Sequence, residues 1–207
     1  MVYAVSDLHG DLIMYNHIVS QLKEDDTLYV IGDIIDRGSS GIAILQDIMK
    51  RPNVELLLGN HEWFLIMSMV YGNEHIMNVW LSDRNRGSVT AKALLALSKD
   101  DYDELLGYLL TRKICEKLVV NNKTFVLVHG CYYRDIEKVE EFENTPLVYD
   151  CLWDSDLKDT FSDKNDTDIY VHGHVPIMIA GLNTPYLDNC RYIDGVISLE
   201  GFKFCII

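Results

Sequence analysis

The chain of 207 residues is long enough to bury a substantial core, and residues 1–207 are expected to form a single domain. Its 48% hydrophobic and 24% charged residues are typical of a globular protein. Because 18 basic residues stand against 32 acidic ones, the formal net charge is −14. We therefore exclude nucleic-acid duplexes as partners, since binding them requires a basic surface.

The sequence also gives expectations about the cellular compartment. Asp7 and His9 follow the N-terminus almost at once, which does not fit the basic and apolar regions of a secretory signal. The longest apolar stretch, from Trp63 to Tyr71, is too short to span a bilayer. The five cysteines are scattered and odd in number, which favours reduced thiols. We expect a cytoplasmic protein without a membrane partner.

Five short apolar runs, rich in β-branched residues, predict strands that are buried on both faces. They are Val2–Val5, Leu28–Ile31, Val54–Leu58, Phe125–Val128 and Ile169–Val171. Each run ends in glycine together with a polar residue of a type that binds metals. Open α/β sheets place their sites at the carboxyl ends of such strands.

Helices are predicted between the first three strands. Asp11 can cap a helix that runs to about Leu22, and Ser39 or Ser40 can begin a second helix that runs to Lys50. Pro52 stops the second helix. Alternation of strand and helix implies parallel pairing with right-handed crossovers, so the first third of the chain is predicted to be a βαβαβ unit.

The remaining chain is less regular. Residues 62–113 have a helical pattern and are expected to form an insertion after the third strand, either as a lid that faces the substrate or as cover for the core. A turn at 121–123 is predicted to join strands at 115–120 and 124–128. Residues 134–168 are expected to be loop-rich, with 155–168 mobile. Two strand-like runs end the chain, at 192–199 and 202–207.

Polar residues at the ends of the predicted strands form a set suited to metal binding. Carboxylate, imidazole and amide oxygen favour Mn²⁺, Fe or Zn²⁺, and two such ions can clamp a phosphoryl group. A single aspartate would have to bridge two ions, and Asp33 lies between the other candidates in sequence. The candidate ligands are Asp7, His9, Asp33, Asn60, His129 and His174.

Five sequence motifs resemble the signature blocks of the calcineurin-like metallophosphoesterases. They are Asp7-Leu8-His9-Gly10, Gly32-Asp33-Ile34-Ile35-Asp36-Arg37-Gly38, Gly59-Asn60-His61-Glu62, His129-Gly130 and Gly173-His174. The Asp-Arg-Gly and His-Glu endings resemble the phosphoprotein phosphatase branch, particularly small bacterial and bacteriophage Ser/Thr protein phosphatases. The resemblance implies an α/β fold, a metallophosphoesterase-type sandwich of mixed β-sheets flanked by helices.

The resemblance also implies roles for single residues. Asp7, His9 and Asp33 would hold the first metal, and Asp33, Asn60, His129 and His174 the second. His174 is preferred to His172 because Gly173 directly precedes it, as in the family motif.

The implied reaction is attack of a metal-bridging hydroxide on phosphorus without a phosphoenzyme. His61 would protonate the leaving group as general acid, and Asp36 would orient His61. Arg37 would bind the phosphate. The alternatives are a structural ion pair between Asp36 and Arg37, and a helix-capping role for His61.

The sequence departs from the family in one respect that bears on phosphate binding. Relatives usually bring a second arginine to the phosphate after the fourth motif, and no arginine follows Leu152-Trp153-Asp154 as far as Asp168. Arg84, Arg86 and Arg134 are candidates to replace it. Each is also expected as an ordinary surface charge.

We expect a metal-dependent phosphoesterase, with two divalent ions, that hydrolyses phosphoserine or phosphothreonine in proteins or peptides. The alternative is a hydrolase of dinucleoside polyphosphates or other small phosphate esters, in which Trp63, Tyr71 or Trp80 would stack on a nucleobase. The alternative from another class is an inactive scaffold. A scaffold would be expected to lose ligands or the acid, and this chain keeps them all.

Overall fold

The computed structural model describes residues 1–139, 142–154, 167–174, 190–192, 196–199 and 203–205. Its elements in chain order are β1 (Val2–Val5), α1 (Leu12–Val19), β2 (Thr27–Ile31), α2 (Gly41–Ile48), β3 (Val54–Leu57), α3 (Asn60–Met69), α4 (Glu74–Trp80), α5 (Ser88–Leu95), α6 (Lys99–Leu110), β4 (Cys115–Val120), β5 (Lys123–Val128), a 3₁₀ helix (Arg134–Lys138), α7 (Pro146–Trp153), β6 (Ile169–His172), β7 (Cys190–Tyr192), β8 (Val196–Ser198) and β9 (Lys203–Cys205). None of the helices within these ranges has the length and apolar character needed to cross a membrane.

The first third of the chain forms the predicted βαβαβ unit, in which β1 pairs with β2 and β2 with β3, both in parallel. The side chain of Asp11 caps α1 by accepting a hydrogen bond from the backbone N–H of Met14 at 2.9 Å. Both helices end earlier than predicted, α1 at Val19 and α2 at Ile48.

Two mixed sheets face each other, which confirms the predicted sandwich. One has the strand order β3-β2-β1-β8-β9 and the other β4-β5-β6-β7. The layer between them contains Phe125 and Leu127 of β5 packed with Ala4 and Ile31 of the opposite sheet. Alternate β5 residues such as Val126 belong instead to the larger core beneath the helices. The strand is therefore buried on both faces, as its continuous apolar run predicts.

The predicted turn and helical insertion are both present. Asn121 and Asn122 have φ angles of +49° and +61°, the left-handed pair that joins β4 and β5 in an antiparallel hairpin. The insertion consists of four helices, α3 to α6, and begins at Asn60. Its side chains contribute heavily to the core, with Trp80 and Leu105 fully buried.

Two local predictions are wrong. The segment expected to be loop-rich contains α7, which Thr145 caps by accepting from the N–H of Val148 at 3.3 Å, and which Pro146 begins. The run predicted as one strand from 192 to 199 is divided between β7 and β8, which belong to different sheets. The predicted mobility of 155–168 falls mainly on 155–166, outside the described residues.

We expect Leu127→Ala to lower the free energy of unfolding by about 2–5 kcal/mol, because it opens a cavity between two sheets that depend on each other for burial. Leu127 is 0% exposed. The matched control is Leu95→Ala, since Leu95 is 68% exposed and its removal should cost at most about 0.5 kcal/mol. Urea unfolding measures both values. Equal losses would contradict the account of this core.

Candidate active site

Backbone hydrogen bonds join the loops that follow the parallel strands. The N–H of His9 donates to the carbonyl of Asp33 at 2.8 Å, and that of Gly38 donates to the carbonyl of His9 at 2.9 Å. The N–H of Gly173 donates to the carbonyl of His129 at 3.0 Å, which joins the loops after β5 and β6. The strand ends that carry the candidate ligands are thus held together by main-chain contacts.

Many of the candidate residues have strained backbones. A positive φ costs an ordinary residue about 1–3 kcal/mol and is concentrated at functional sites in proteins. Nine residues other than glycine in the described part of the chain have positive φ, and six of these are assigned from the sequence as metal ligands or catalytic residues. They are Asp7, His9, Asp33, Asp36, Arg37 and His174. The backbone is therefore bent in the way that brings their side chains to one place.

Lone-pair atoms converge on the side-chain oxygen of Asn60. Its Oδ1 lies 3.0 Å from Nε2 of His129 and 3.0 Å from Nδ1 of His174, and the two oxygens of Asp33 lie 3.2 and 3.3 Å away. Turning the amide would offer two hydrogens to four acceptors. A cation satisfies all of these atoms together, and amide oxygen, imidazole and carboxylate are suitable ligands for a divalent metal.

The tautomers of two histidines support this interpretation. Nδ1 of His129 lies 2.8 Å from the carbonyl of Ile31, and Nδ1 of His9 lies 3.0 Å from the carbonyl of Ile35. Each Nδ1 must donate to its carbonyl, so each Nε2 of a neutral ring presents a lone pair to the site. Fixing the ring in this way is the usual arrangement of histidines that bind metals.

Asp33 lies between two clusters of such atoms. Its Oδ1 is 3.3 Å from Nε2 of His129, and its Oδ2 is 3.7 Å from Nε2 of His9 and 3.9 Å from Nε2 of His61. Asp7 lies at the edge of the cluster that contains His9, with its Oδ1 4.0 Å from Nε2 of His9. The structure thus brings together all six residues of the sequence-based ligand set, and it adds His61.

Burial and neighbouring charges shift the pKa values of the buried site residues, and the two effects often act in opposite directions. Burial lowers the pKa of His129, but the neighbouring carboxylate of Asp33 outweighs it and raises that pKa to about 9. Burial, with the adjacent His129, lowers the pKa of His174 to about 4. Burial also disfavours the charged form of Asp33, but the surrounding histidines hold its pKa below the usual range. Asp33 therefore remains a carboxylate at neutral pH.

His61 and Asp36 form a buried pair. Nδ1 of His61 lies 2.6 Å from Oδ2 of Asp36, and the two residues are 1% and 0% exposed. Burial lowers the pKa of His61, but the charges of Asp33 and Asp36 outweigh it, so the pKa is raised from its ordinary value. His61 therefore favours carrying a proton.

Glu62 is a site residue that the sequence analysis did not assign. Its buried carboxylate accepts hydrogen bonds from the N–H groups of Asp33 at 2.8 Å, Ile34 at 2.9 Å and Gly59 at 2.9 Å. It therefore holds the second and third motifs against each other. Glu62 is the third residue of α3 and accepts from the N–H of Gly59, the N-cap of the helix; a glutamate at this position is the sequence signal that points to it.

Two further residues contact Asp36, and no local sequence motif predicts either contact. Nε1 of Trp80 donates to Oδ2 of Asp36 at 2.7 Å. Oγ1 of Thr90 accepts from the N–H of Asp36 at 2.9 Å. Both residues belong to the helical insertion, in α4 and α5, and nothing in the sequence indicates that they reach a residue more than 40 positions earlier.

The four arginines considered for phosphate binding are exposed at the surface. Arg37 is exposed, but its charge helps to lower the pKa of His9, after the larger effect of burial, so it acts on the site. Arg84, Arg86 and Arg134 are also exposed, as expected for ordinary surface charges. His172 is buried, and its Nδ1 lies 3.2 Å from the carbonyl of Gly173.

Comparison with known proteins identifies the family to which this chain is similar. The model of the calcineurin-like phosphoesterase family matches residues 1–192. Curated relatives include the symmetrical bis(5'-nucleosyl)-tetraphosphatases of Pectobacterium atrosepticum, 24% identical over 168 residues, and Salmonella paratyphi A, 27% identical over 169 residues. Each alignment covers 73% of this chain and 54% of the relative, so the chain spans about half the length of these proteins.

Solved structures with the same fold include a putative diadenosine tetraphosphatase, with a TM-score of 0.61, 16% identity, and coverage of 98% of this chain and 90% of that one. A Saccharomyces cerevisiae protein serine/threonine phosphatase with similarity to human phosphatase PP5 has a TM-score of 0.55, 17% identity, and coverage of 93% and 66%. At these identities the likeness establishes the fold.

We expect Glu62→Gln to lower the free energy of unfolding by about 1.5–3 kcal/mol, because the NH₂ group that replaces one oxygen cannot accept a backbone N–H. The matched control is Glu55→Gln on β3, where the carboxylate is half exposed and its ion pair with Arg112 contributes at most about 1 kcal/mol. Urea unfolding compares the variants. If Glu55→Gln costs as much as Glu62→Gln, the loops do not depend on this carboxylate.

Proposed function

The chain belongs to the calcineurin-like phosphoesterase family, and we propose that it hydrolyses phosphate monoesters with two divalent metal ions. The observation that supports this best is the convergence of lone-pair atoms from Asp33, His129 and His174 on Oδ1 of Asn60, within 3.0 to 3.3 Å. Such a cluster is expensive to bury unless a cation joins it.

The two sites share Asp33. We assign the first ion to Asp7, His9 and Asp33, because Oδ2 of Asp33 faces Nε2 of His9 at 3.7 Å. We assign the second ion to Asp33, Asn60, His129 and His174. Mn²⁺ is the ion we favour, with Fe and Zn²⁺ as alternatives compatible with the same ligands. When bound, such ions supply a nucleophilic water and neutralise charge on the phosphoryl group.

His61 is assigned as the general acid. The 2.6 Å contact between its Nδ1 and Asp36 orients the ring so that Nε2 points toward the proposed metal pair, 3.9 Å from Oδ2 of Asp33. A proton held at Nε2 can be given to the leaving oxygen, and Asp36 stabilises the ring while it carries that proton.

Arg37 is assigned to the phosphate. It is the arginine of the second motif, it is exposed, and its charge acts on His9. Its guanidinium group can donate two hydrogen bonds to a phosphate at once. We propose that it supplies most of the arginine contact to the substrate.

For the substrate we propose phosphoserine or phosphothreonine in a protein or peptide. The curated relatives named as tetraphosphatases are about twice as long as the aligned region, whereas the putative diadenosine tetraphosphatase of known structure is covered to 90%. The choice therefore rests on the second motif and on His61-Glu62, which resemble the protein phosphatase branch. An inactive scaffold is disfavoured because every assigned ligand and the proposed acid are present.

One observation favours a dinucleoside polyphosphate as the second candidate. Tyr149 is 45% exposed and stacks on Trp153, with ring centroids 4.5 Å apart and planes 13° from parallel. Trp153 contacts Phe64, which in turn contacts His61. An exposed ring in this position can stack on a nucleobase. Of the three residues expected from the sequence for that role, Trp63 and Trp80 are 5% and 0% exposed and offer no free face, whereas Tyr71 is 52% exposed and contacts Phe142.

We expect His61→Asn to retain its metal and to lower kcat about 10²- to 10⁴-fold, the usual contribution of a general acid. Elemental analysis of the purified variant measures the metal, and steady-state kinetics measure kcat. His75→Asn is the matched control, because His75 is exposed on α4. Unchanged turnover in His61→Asn would refute the assigned role.

We expect Mn²⁺-loaded protein to hydrolyse a phosphothreonine peptide with a higher kcat/KM than diadenosine tetraphosphate. EDTA should abolish both activities and Mn²⁺ should restore them. Tyr149→Ala should leave the peptide activity unchanged. Preference for the dinucleotide, with loss of that preference in Tyr149→Ala, would establish the second candidate instead. Activity that resists the chelator would contradict the metal mechanism.

A further inference from the structure

The helical insertion contacts the carboxylate that orients the proposed acid. Trp80 is the last residue of α4, and its Nε1 donates to Oδ2 of Asp36 at 2.7 Å. The same oxygen lies 2.6 Å from Nδ1 of His61. The three residues are at most 1% exposed, so this chain of contacts is shielded from water.

The surrounding structure is shaped to hold the indole in this position. A Cβ atom at Gly87 would lie 2.3 Å from Nε1 of Trp80, so only glycine leaves room for the ring. The N–H of Gly87 donates to the carbonyl of Trp80 at 3.0 Å. One turn later, Thr90 accepts from the N–H of Asp36 at 2.9 Å. The segment from α4 to α5 thus contacts both the side chain and the backbone of Asp36.

The orientation of the Asp36 carboxylate depends on few contacts. Its Oδ1 is buried and has no hydrogen-bond partner within the part of the chain that the structure describes. The two side-chain donors, Trp80 and His61, both contact the other oxygen, Oδ2. Without the indole N–H, only His61 would oppose rotation of the carboxylate. The ring of His61 would then no longer be held in one orientation.

We propose that Trp80 is a positioning residue for the proton donor. It fixes Asp36, and through Asp36 it fixes the ring of His61 toward the leaving oxygen. The proposal rests on the proposed function of His61 as general acid. It also gives the helical insertion a role that neither a lid nor simple cover for the core provides, because the insertion completes the group that protonates the substrate.

The chemistry of the leaving group separates this role from ordinary packing. Phenol is a much weaker acid than p-nitrophenol, so phenolate leaves slowly unless a proton is delivered to it, whereas p-nitrophenolate leaves readily without one. A defect in proton delivery therefore slows phenyl phosphate far more than p-nitrophenyl phosphate. A general loss of packing or of metal slows both esters alike.

The test compares kcat for phenyl phosphate and p-nitrophenyl phosphate in metal-loaded protein. We expect Trp80→Phe to lower kcat for phenyl phosphate about 10- to 100-fold, as when a catalytic group is misplaced by about 1 Å. The kcat for p-nitrophenyl phosphate, both KM values and the metal content should stay nearly unchanged. Trp63→Phe is the matched control, because Trp63 is 5% exposed and its Nε1 has no hydrogen-bond partner among the described residues.

Two further variants keep the outcomes distinct. In His61→Asn, adding Trp80→Phe should cause no further selective loss, because both changes act on the same proton transfer. A selective loss in His61→Asn but not in Trp80→Phe would overturn the role of Trp80 alone. Equal loss on both esters in His61→Asn would overturn the proposed function itself. Should Trp80→Phe fail to fold, Gly87→Ala displaces the indole and should give the same selective loss, and an unselective effect there would overturn the proposal.

Discussion

The site depends on a buried cluster of lone-pair atoms that outnumber the hydrogens available to them, even when His129, whose pKa is raised to about 9, carries a proton at Nε2. Asn60, His129 and His174 meet both oxygens of Asp33 within 3.0 to 3.3 Å, and the histidine N–H that might have helped is committed to the carbonyl of Ile31. Repulsion between such atoms is relieved by a cation. The surrounding structure can be understood as the means of holding these atoms together against that repulsion.

Several features oppose the repulsion at once. Main-chain hydrogen bonds join the loops after β1 and β2, and the buried carboxylate of Glu62 collects N–H groups from two motifs. Gly59 is needed because a Cβ atom there would lie 2.3 Å from Oδ1 of Asp33. The positive φ angles of Asp7, Asp33 and His174 are tolerated because these contacts over-determine the loops. The site is thus preorganised by backbone contacts and by residues outside the ligand set.

Much of this arrangement could be predicted from the sequence because strand ends converge in an α/β sheet. Each ligand follows an apolar run, so its place in the fold is set by local pattern. The helix α7 could also have been predicted, since Thr145 and Pro146 mark its start. The role of Trp80 could not, because its contact with Asp36 joins residues 44 positions apart through tertiary packing. The division between β7 and β8 likewise follows from pairing with different sheets.

We propose that Asp33 lies between two metal ions. This proposal can be tested with crystals of the protein grown with Mn²⁺, from X-ray data collected on both sides of the manganese absorption edge. We expect two anomalous peaks about 3.5–4 Å apart, one beside His9 and one beside Asn60, with an oxygen of Asp33 contacting both. A single peak, or two peaks of which neither touches Asp33, would contradict it.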